Sequence, residues 1–253
     1  MFGSSRAIHH YEPTVLEDSL KLTTYNAGRD GQGILYCYAV LKSILKRDTS
    51  RAIILDINLG EFIQSQNSYN RLSVLLPYYK TNRQVRPVVN LKSRYEKIKT
   101  FSSLYCYNSL ALSIVLNNLI KRNETIKKGY QPLFKILNKP LKEGNYSEDV
   151  GNIDSIKVNY FRYFIKDALS ANCKIYVFVS PIYYLNDSLD TSVQIARQIC
   201  EQYNVQFSDY SQSSVFLKHP EYFQDISHLN NEGAKIYSSM VSEDIKHSTK
   251  FLH

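Results

Sequence analysis

Two short apolar runs do most to limit the folds that this chain can adopt. One spans Arg51–Ile57, with Ala52–Leu55 at its centre, and the other spans Lys174–Val179. Strands that are apolar on both faces are typical of parallel sheets, which helices cover on both sides. Apolar residues at helical spacing precede each run, at Ile34–Leu45 and at Ile153–Ala171. This alternation of helix and strand predicts βαβ units and therefore an α/β fold.

The same alternation continues around these runs. Near the N-terminus we predict a helix over Thr14–Leu20, after Pro13, and a strand over Lys21–Tyr25. In the C-terminal part we predict a helix over Thr191–Tyr203, a strand over Val205–Phe207 and a final helix over Asn231–Ile245. Asn230 or Asn231 is the expected N-cap of this last helix. A glycine-rich stretch, 26–33, connects the strand at Lys21–Tyr25 to the helix that follows it. We therefore expect a three-layer α/β/α sandwich with a parallel sheet, in the style of flavodoxin.

Residues 60–150 break this rhythm. Two segments look helical, around Leu91–Tyr105 and Leu110–Lys121, and prolines and polar loops separate and flank them. We interpret residues 60–150 as a mostly helical insertion after the third strand. A chain of 253 residues is long enough for one α/β domain with such an insertion. The prediction is therefore a single domain over residues 1–253.

The positive charge of the chain is concentrated in this insertion. The formal net charge is +8, and residues 60–150 contain fifteen Lys and Arg against six Asp and Glu. Excess positive charge can attract nucleic acid, acidic glycans or membrane surfaces. The basic residues are scattered along the predicted helices, however, and no nucleic-acid-binding motif accompanies them. A solvated basic face is the favoured interpretation, and a basic nucleic-acid-binding protein is the alternative.

The cysteines and the apolar runs indicate no special class of protein. Cys37, Cys106, Cys173 and Cys200 form no CxxC pair, and each lies in an apolar stretch, so we expect buried free thiols without a metal site or a disulfide framework. No apolar run approaches the length of a membrane span, and no signal peptide is recognisable.

Two short motifs near the ends of the sequence carry the candidate chemistry. The first is Gly3-Ser4-Ser5-Arg6, and the second is Asp225-Ile226-Ser227-His228-Leu229. Serine, histidine and aspartate together can activate a hydroxyl for attack on an acyl carbon. In a parallel sheet, such groups collect at the carboxyl ends of the strands. Four candidate groups follow predicted strands: the motif at Gly3–Arg6, the turn at 26–28, Asn58 and Ser180-Pro181. Asp225–His228 precedes the last helix.

These blocks resemble the SGNH (GDSL-like) hydrolase superfamily. Its members place a nucleophilic serine in a Gly-x-Ser block after the first strand, a glycine after the second, often an asparagine after the third, and an Asp-x-x-His block before the last helix. The matching blocks here are Gly3-Ser4-Ser5, Asn26-Ala27-Gly28 and Asp225-Ile226-Ser227-His228, and the likeness spans nearly the whole chain. It is most similar to a branch found in gut Bacteroides-type bacteria, whose members are uncharacterised or modify polysaccharides.

The resemblance implies a role for each candidate residue. Ser5 is the expected nucleophile, with Ser4 as its competitor, His228 is the general base and Asp225 orients it. The expected oxyanion-hole donors are the backbone N–H groups of Ser5 and Gly28 and the side chain of Asn58.

Three further residues have open assignments. Asn58 lies in the block Asp56-Ile57-Asn58-Leu59-Gly60, which departs from the family's usual Gly-x-Asn, so Asp56 is an alternative for facing the site. Arg6 is assigned to binding a substrate anion, or to pairing with a carboxylate inside the fold. Tyr183 is assigned to a wall of the cleft, or to packing.

The family's first strand runs for several apolar residues before the nucleophile, and here only Met1 and Phe2 stand there. A longer natural N terminus would fit a periplasmic or exported protein, and the chain as it stands would fit a cytoplasmic one.

The expected function is that of a serine esterase that needs no metal or other cofactor. Its substrate would be a small-molecule or glycan ester, such as an O-acetyl group on a carbohydrate. An O-acyltransferase that acts on a glycan uses the same triad and is the nearest alternative, and a non-catalytic carbohydrate-binding module on a degenerate hydrolase scaffold is another. The 21 tyrosines fit a sugar-binding surface and a tyrosine-rich core equally well.

Overall fold

A small parallel sheet lies at the centre of the protein. The computed structural model of the chain describes residues 1–47, 52–92, 126–138, 140, 142–144, 151–186 and 190–250. The strands of this sheet are β1 (Ala52–Asp56), β3 (Lys174–Val179) and β5 (Gln206–Asp209), in the order β1-β3-β5. Both pairs are parallel. A separate parallel pair joins β2 (Lys142–Gly144) to β4 (Tyr184–Asn186).

Helices connect and cover these strands. In the described residues the α-helices are α1 (Ser5–His10), α2 (Pro13–Leu20), α3 (Ile34–Leu45), α4 (Gln66–Asn70), α5 (Arg86–Asn90), α6 (Ser155–Ser170), α7 (Thr191–Gln202), α8 (Ser214–Leu217) and α9 (Asn231–Lys250). The same part of the chain contains 3₁₀-helical stretches at Arg71–Tyr78, Arg83–Val85 and Pro220–Tyr222. The chain is thus a mixed α/β protein, as its alternating pattern predicts.

Side chains at the helix N-termini explain where several helices begin. Asp154 accepts hydrogen bonds from the first-turn amides of α6, and Asp190 accepts one from Val193 of α7. Asn230 accepts hydrogen bonds from the amides of Glu232 and Gly233, so it is Asn230 rather than Asn231 that caps α9. Such caps satisfy amide groups that have no partner within the helix.

The two faces of the sheet bury different sets of side chains. Ile53 and Leu55 of β1 belong to a cluster that includes apolar residues of α3 and α6, whereas Ile54 belongs to a second cluster with residues of α2 and α9. Successive side chains of a strand point to opposite faces, so helices pack against both sides. This arrangement is compatible with an α/β sandwich.

The prediction of a strand over Lys21–Tyr25 is wrong, because these residues have no regular secondary structure. Phe2 lies beside β1 in a single parallel bridge to Leu55. Met1 is hydrogen-bonded to the segment near Tyr25, since its amino group donates to the Tyr25 carbonyl and its carbonyl accepts from Ala27, whereas the amide between them, that of Asn26, donates to the carbonyl of Lys128. A ladder needs several consecutive partners, and one residue does not supply them.

The first part of the predicted insertion contributes to the main core. Buried leucines and valines of this part lie in the same cluster as α3, at positions 72, 75, 76, 85, 88 and 89. The helices around Pro77 and Pro87 were not predicted from the sequence, because prolines read as breaks. Pro87 in fact stands in the first turn of α5, where a missing N–H costs no hydrogen bond. The predicted helices at Leu91–Tyr105 and Leu110–Lys121 lie outside the described residues, apart from Leu91 and Lys92.

Three cysteines can be placed. Cys37, Cys173 and Cys200 are buried free thiols, and Cys106 lies outside the described residues. No helix in the described part of the chain combines the length and the apolar character needed to span a membrane.

Candidate active site

Ser5, His228 and Asp225 form a continuous hydrogen-bonded chain. His228 Nε2 lies 2.9 Å from Ser5 Oγ, and His228 Nδ1 lies 3.0 Å from both carboxylate oxygens of Asp225. This is the order hydroxyl, imidazole, carboxylate that abstraction of a hydroxyl proton requires. The structure therefore brings together the three residues that the terminal motifs predict.

Ser5 stands at the first position of α1, a helix that was not predicted from the sequence. Ser4 caps this helix, since its Oγ accepts from the amide of Arg6 and donates to Asn58 Oδ1 at 2.8 Å. Gly3 has a φ of +148°, and a Cβ there would lie 2.7 Å from the Cβ of Ala7. A glycine is therefore required for the chain to enter α1. Of the two candidate serines, Ser5 reaches the histidine and Ser4 holds the turn.

The loop that carries His228 is fixed from several sides. Asp225 Oδ1 accepts hydrogen bonds from the amides of Ser227 and His228, at 2.8 and 3.0 Å. The amide of Leu229 donates to His10 Nε2 at 3.0 Å, and the amide of Tyr183 donates to the carbonyl of Ile226 at 2.8 Å. The Asp225 carboxylate thus orients the imidazole of His228 and also stabilises the turn that carries His228.

The electrostatics of the pair favour an ionised Asp225. Partial burial acts to raise the pKa of this carboxyl, but the hydrogen bonds from His228 and Ser227 outweigh it, and the net pKa is lowered. The Asp225 side chain is 48% exposed and that of His228 is 24% exposed. Water therefore reaches the carboxylate and weakens its attraction for an imidazolium relative to a fully buried pair.

Two further histidines, both at the end of α1, surround His228. The rings of His9 and His10 lie 5.5 and 6.2 Å from that of His228, both edge-on. Burial lowers the pKa of His9 and, more strongly, that of the fully buried His10; the positive charge of Arg6 adds to the effect on His10. Both side chains are therefore neutral neighbours of the imidazole near neutral pH.

Of the two roles predicted for Arg6, the structure favours pairing inside the fold. It is 5% exposed, and its guanidinium donates to Asn58 Oδ1, to the carbonyl of Ile57 and to the carbonyl of Ser180. Its Nε also lies 3.9 Å from a carboxylate oxygen of Asp56. It borders the cavity described below, but these bonds join α1 to the carboxyl ends of β1 and β3.

Asp56 does not face the candidate site. Its carboxylate accepts from the hydroxyls of Tyr11 and Ser180 and from the Ser180 amide. Burial raises the pKa of this carboxyl, and the nearby Arg6 opposes the rise. Of the two alternatives in the third block, Asn58 rather than Asp56 borders the cavity.

The orientation of the Asn58 amide follows from its partners. Its Oδ1 accepts from Arg6 Nε at 3.0 Å, an atom that can only donate. Its Nδ2 therefore points the other way and donates to Glu61 Oε2 at 3.3 Å. One of the two Nδ2 hydrogens remains for a group in the cavity.

Gly28 lies beside α1 but not in the lining of the cavity. Its amide donates to Asn26 Oδ1 at 3.0 Å. A Cβ at Gly28 would lie 2.8 Å from the Cβ of Ala7, so this glycine permits close packing against α1. In this structure the Gly28 N–H is engaged within its own turn.

Tyr183 packs rather than lines the cleft. It is 4% exposed, its ring lies 5.3 Å from that of Phe223, and it is not among the residues around the cavity. Its contribution to the site passes through its amide, which holds the loop at Ile226.

A polar cavity of about 340 Å³ opens beside Ser5 and His228. Its size suits a ligand of monosaccharide scale. Its lining consists of Ser4, Ser5, Arg6, Gly31, Gln32, Gly33, Asn58, Leu59, Gly60, Glu61, Ile63, Ser65, Ser68, Arg71, Lys157, Ser227 and His228.

Sequence reasoning did not find Glu61 or Lys157. Glu61 Oε1 accepts from the amide of Ile34 at 2.7 Å and so supplies the cap that Gly33 lacks. Lys157 is the third residue of α6 and only 4% exposed. The one available signal for Lys157 was its place beside apolar positions of a helix that faces the sheet, which is an unusual environment for a lysine.

No group of three or more metal-binding side chains occurs in the part of the chain that the structure describes. Comparison of the sequence with models of protein families and with curated proteins gave no match.

Proposed function

We propose that this chain is a serine esterase of the SGNH type. The observation that carries the proposal is the 2.9 Å contact between His228 Nε2 and Ser5 Oγ, with Asp225 on the opposite nitrogen of the same ring. A second histidine–carboxylate pair, His219 with Glu221, lies on the surface with an Nδ1 to Oε1 distance of 2.7 Å, but no serine hydroxyl is hydrogen-bonded to it in the described residues. Of these two pairs, the one at His228 is combined with a nucleophile and a cavity.

The proposed reaction has two steps. The Ser5 oxygen attacks the carbonyl carbon of the ester while its proton moves to His228 Nε2; the imidazolium then protonates the leaving alcohol, and an acyl-serine remains. Water next gives a proton to His228 and attacks the acyl-serine, and the acid leaves as Ser5 regains its proton. Asp225 stabilises the transient imidazolium in both steps.

The developing oxyanion requires donors that are already in position. Two donors are available for the oxyanion. One is the backbone amide of Ser5 at the start of α1, and the other is the second hydrogen of Asn58 Nδ2, because Arg6 fixes the orientation of the Asn58 amide. Gly28 would join them only after its amide leaves Asn26 Oδ1.

The specific fold, beyond the mixed α/β class, is part of the same proposal. In a three-layer α/β/α sandwich of the SGNH type, Phe2 would belong to the first strand, β1 would lie beside it and α9 would be the last helix. The parallel bridge between Phe2 and Leu55 supports this assignment, as does the position of Ser5 directly after it. Residues 1–253 would then be one domain, with residues 60–150 as its insertion.

The test is hydrolysis of 4-nitrophenyl acetate and of acetylated glucose by the purified protein. We expect Ser5→Ala to lower the rate by at least about 10³-fold and Ser4→Ala to retain activity, since only Ser5 bonds to His228. With 4-nitrophenyl acetate as the acyl donor, excess glucose as an acceptor separates the two outcomes. An esterase then releases acetate, whereas an acyltransferase forms acetyl-glucose. A folded protein that releases neither product would contradict the proposal and favour a binding module.

A further inference from the structure

We propose that the cavity beside Ser5 contains an anion-binding position formed by Lys157, Arg71 and Ser68, and that the substrate is therefore an ester carrying a carboxylate or sulfate group. This deepens the proposed function, on which it rests for the ester part alone. The position lies in the same cavity as the triad but on other elements: Lys157 on α6, Ser68 on α4 and Arg71 on the 3₁₀ stretch that follows.

The first support is the environment of Lys157. Its ammonium group donates to the carbonyl of Ile63 at 2.7 Å and to Ser68 Oγ at 3.1 Å, and the residue is 4% exposed. An ammonium group has three N–H donors, so one remains for the cavity that Lys157 lines. Buried cations are normally paired with an anion, because their removal from water is costly. In the described part of the chain, no carboxylate lies within 4 Å of this ammonium.

The second support is the charge balance of the cavity. Among the described residues, Arg6, Arg71 and Lys157 line it, and Glu61 is the one acidic residue of the lining. Arg6 is already opposed by Asp56 behind it. The result is an excess of positive charge that faces the cavity.

Glu61 has its own partners within the same lining. Its carboxylate accepts from the amide of Ile34, at the positive end of α3, and from Asn58 Nδ2. Burial raises the pKa of Glu61, and the Ile34 amide and the charge of Lys157 counteract this. Lys157 thus acts on Glu61 at a distance, without a contact that would neutralise its own ammonium.

The third support is the arrangement of Arg71 and Ser68. Arg71 Nη1 donates to the carbonyl of Gly31 at 3.0 Å, and a Cβ at Gly31 would lie 2.8 Å from Arg71 Cζ. Gly31 has a φ of +65°, so both the turn and the position of the guanidinium depend on this glycine. Ser68 Oγ accepts from Lys157, which leaves its own O–H to donate to an anion.

The test measures binding to Ser5→Ala protein, so that no turnover is needed. The probes are D-glucuronate and D-glucose 6-sulfate, with D-glucose as the neutral match, and the method is isothermal titration calorimetry at low and at high salt. We expect at least one anionic sugar to bind about tenfold or more tightly than glucose, and the preference to shrink as salt screens the charges. Whichever anion is preferred identifies the carboxylate or the sulfate as the natural group.

Second-site variants assign the preference to these residues. Lys157→Met and, separately, Arg71→Gln in the Ser5→Ala background should each reduce the preference at least severalfold. Arg71 is exposed, so its variant reports on binding even if loss of the buried lysine impairs folding. Lys166→Met is the matched control, because Lys166 lies exposed on the same helix and should not change the preference.

The outcomes separate this inference from the esterase proposal. Equal binding of charged and neutral sugars, or binding of none of them, overturns the anion position even if neutral esters are hydrolysed. A preference that persists in both Lys157→Met and Arg71→Gln overturns it as well. A preference that both variants reduce supports it, including in a protein that hydrolyses no ester.

Discussion

The Nε2 atom of His228 lies 2.9 Å from Ser5 Oγ, although 223 positions separate the two residues in the chain. Neither motif defines a site by itself. The fold joins them through α1, which begins at Ser5, and through the hydrogen bond from the Leu229 amide to His10 of the same helix. The short helix therefore holds the candidate nucleophile and, five residues later, an anchor for the loop that carries its base.

Asp225→Asn should separate the charge of Asp225 from its structural role. The amide Oδ1 can still accept from the amides of Ser227 and His228, so we expect a change of less than about 1 kcal/mol in the free energy of unfolding. The imidazolium loses its counter-charge and the ring can adopt the wrong tautomer, so kcat for ester hydrolysis should fall by about 10²-fold or more. Urea unfolding and steady-state kinetics measure the two effects.

Glu221→Gln is the matched control for this prediction. It removes the carboxylate from the exposed pair with His219, which is hydrogen-bonded in the same way but lies away from the cavity. Its kcat should equal that of the unaltered protein. Equal losses in the two variants would mean that Asp225 has no special role in the reaction.

Arg6→Lys should destabilise the fold even though it keeps the charge. The planar guanidinium donates to three acceptors, Asn58 Oδ1 and the carbonyls of Ile57 and Ser180, and an ammonium at that position cannot match this geometry. We expect a loss of about 1–3 kcal/mol in the free energy of unfolding, because buried acceptors lose their donors. Arg162→Lys, at a residue that donates to Gln202 near the surface, should cost much less in the same urea titration.

The Gly28→Ala variant tests whether this glycine is needed for packing. The new Cβ would lie 2.8 Å from the Cβ of Ala7, so the free energy of unfolding should fall by about 1–3 kcal/mol. Ala7→Gly removes that contact but costs about 1 kcal/mol of helix propensity. A double-mutant cycle should therefore give a favourable coupling of at least about 0.5 kcal/mol. Additive effects would mean that the two positions do not meet.

Stability should fall as the pH drops below the normal pKa of histidine, in part because of His10. Burial lowers the pKa of His10 in the folded state, while in the unfolded chain it stays near 6.5. Well above pH 6.5 both states hold the neutral ring and no difference arises. Below it the unfolded state binds a proton that the folded state does not, so unfolding becomes more favourable.

His10→Gln should remove this contribution. A glutamine can accept from the Leu229 amide without titrating. The stability lost between about pH 7.5 and 5.5 should then be smaller by roughly 1.4 kcal/mol than in the unaltered protein. His219→Gln, at an exposed ring, is the control in the same series of urea titrations. Identical pH slopes for His10→Gln and the unaltered protein would contradict the assignment.

The sequence was informative where a pattern is local and repeated. The apolar runs of β1 and β3 and the helical spacing of α3 and α6 predicted those elements with close boundaries. It failed at Lys21–Tyr25, where β-branched and aromatic residues favour a strand but the fold supplies almost no partner. Strand formation depends on a neighbouring strand that is often distant in the chain, and composition does not reveal such a neighbour.

The same distinction applies to the candidate site, where some residues could be predicted from the sequence and others could not. The triad residues could be predicted because their types and order are informative, whereas the partners of Arg6 and Gly28 depend on which backbone groups lie nearby. The cavity residues Glu61 and Lys157 carry no motif at all. Their roles follow only from the meeting of α3, α6 and the segment after β1.

Reaction of the folded protein with a fluorophosphonate, followed by mass spectrometry of its peptides, tests most directly whether Ser5 is an activated nucleophile. An activated serine is phosphonylated at Oγ and an ordinary serine is not. We expect one adduct, on Ser5, that forms in the unaltered protein and is absent from His228→Ala. A folded protein that stays unlabelled, or that is labelled at another serine, would contradict the assignment of Ser5 as the nucleophile.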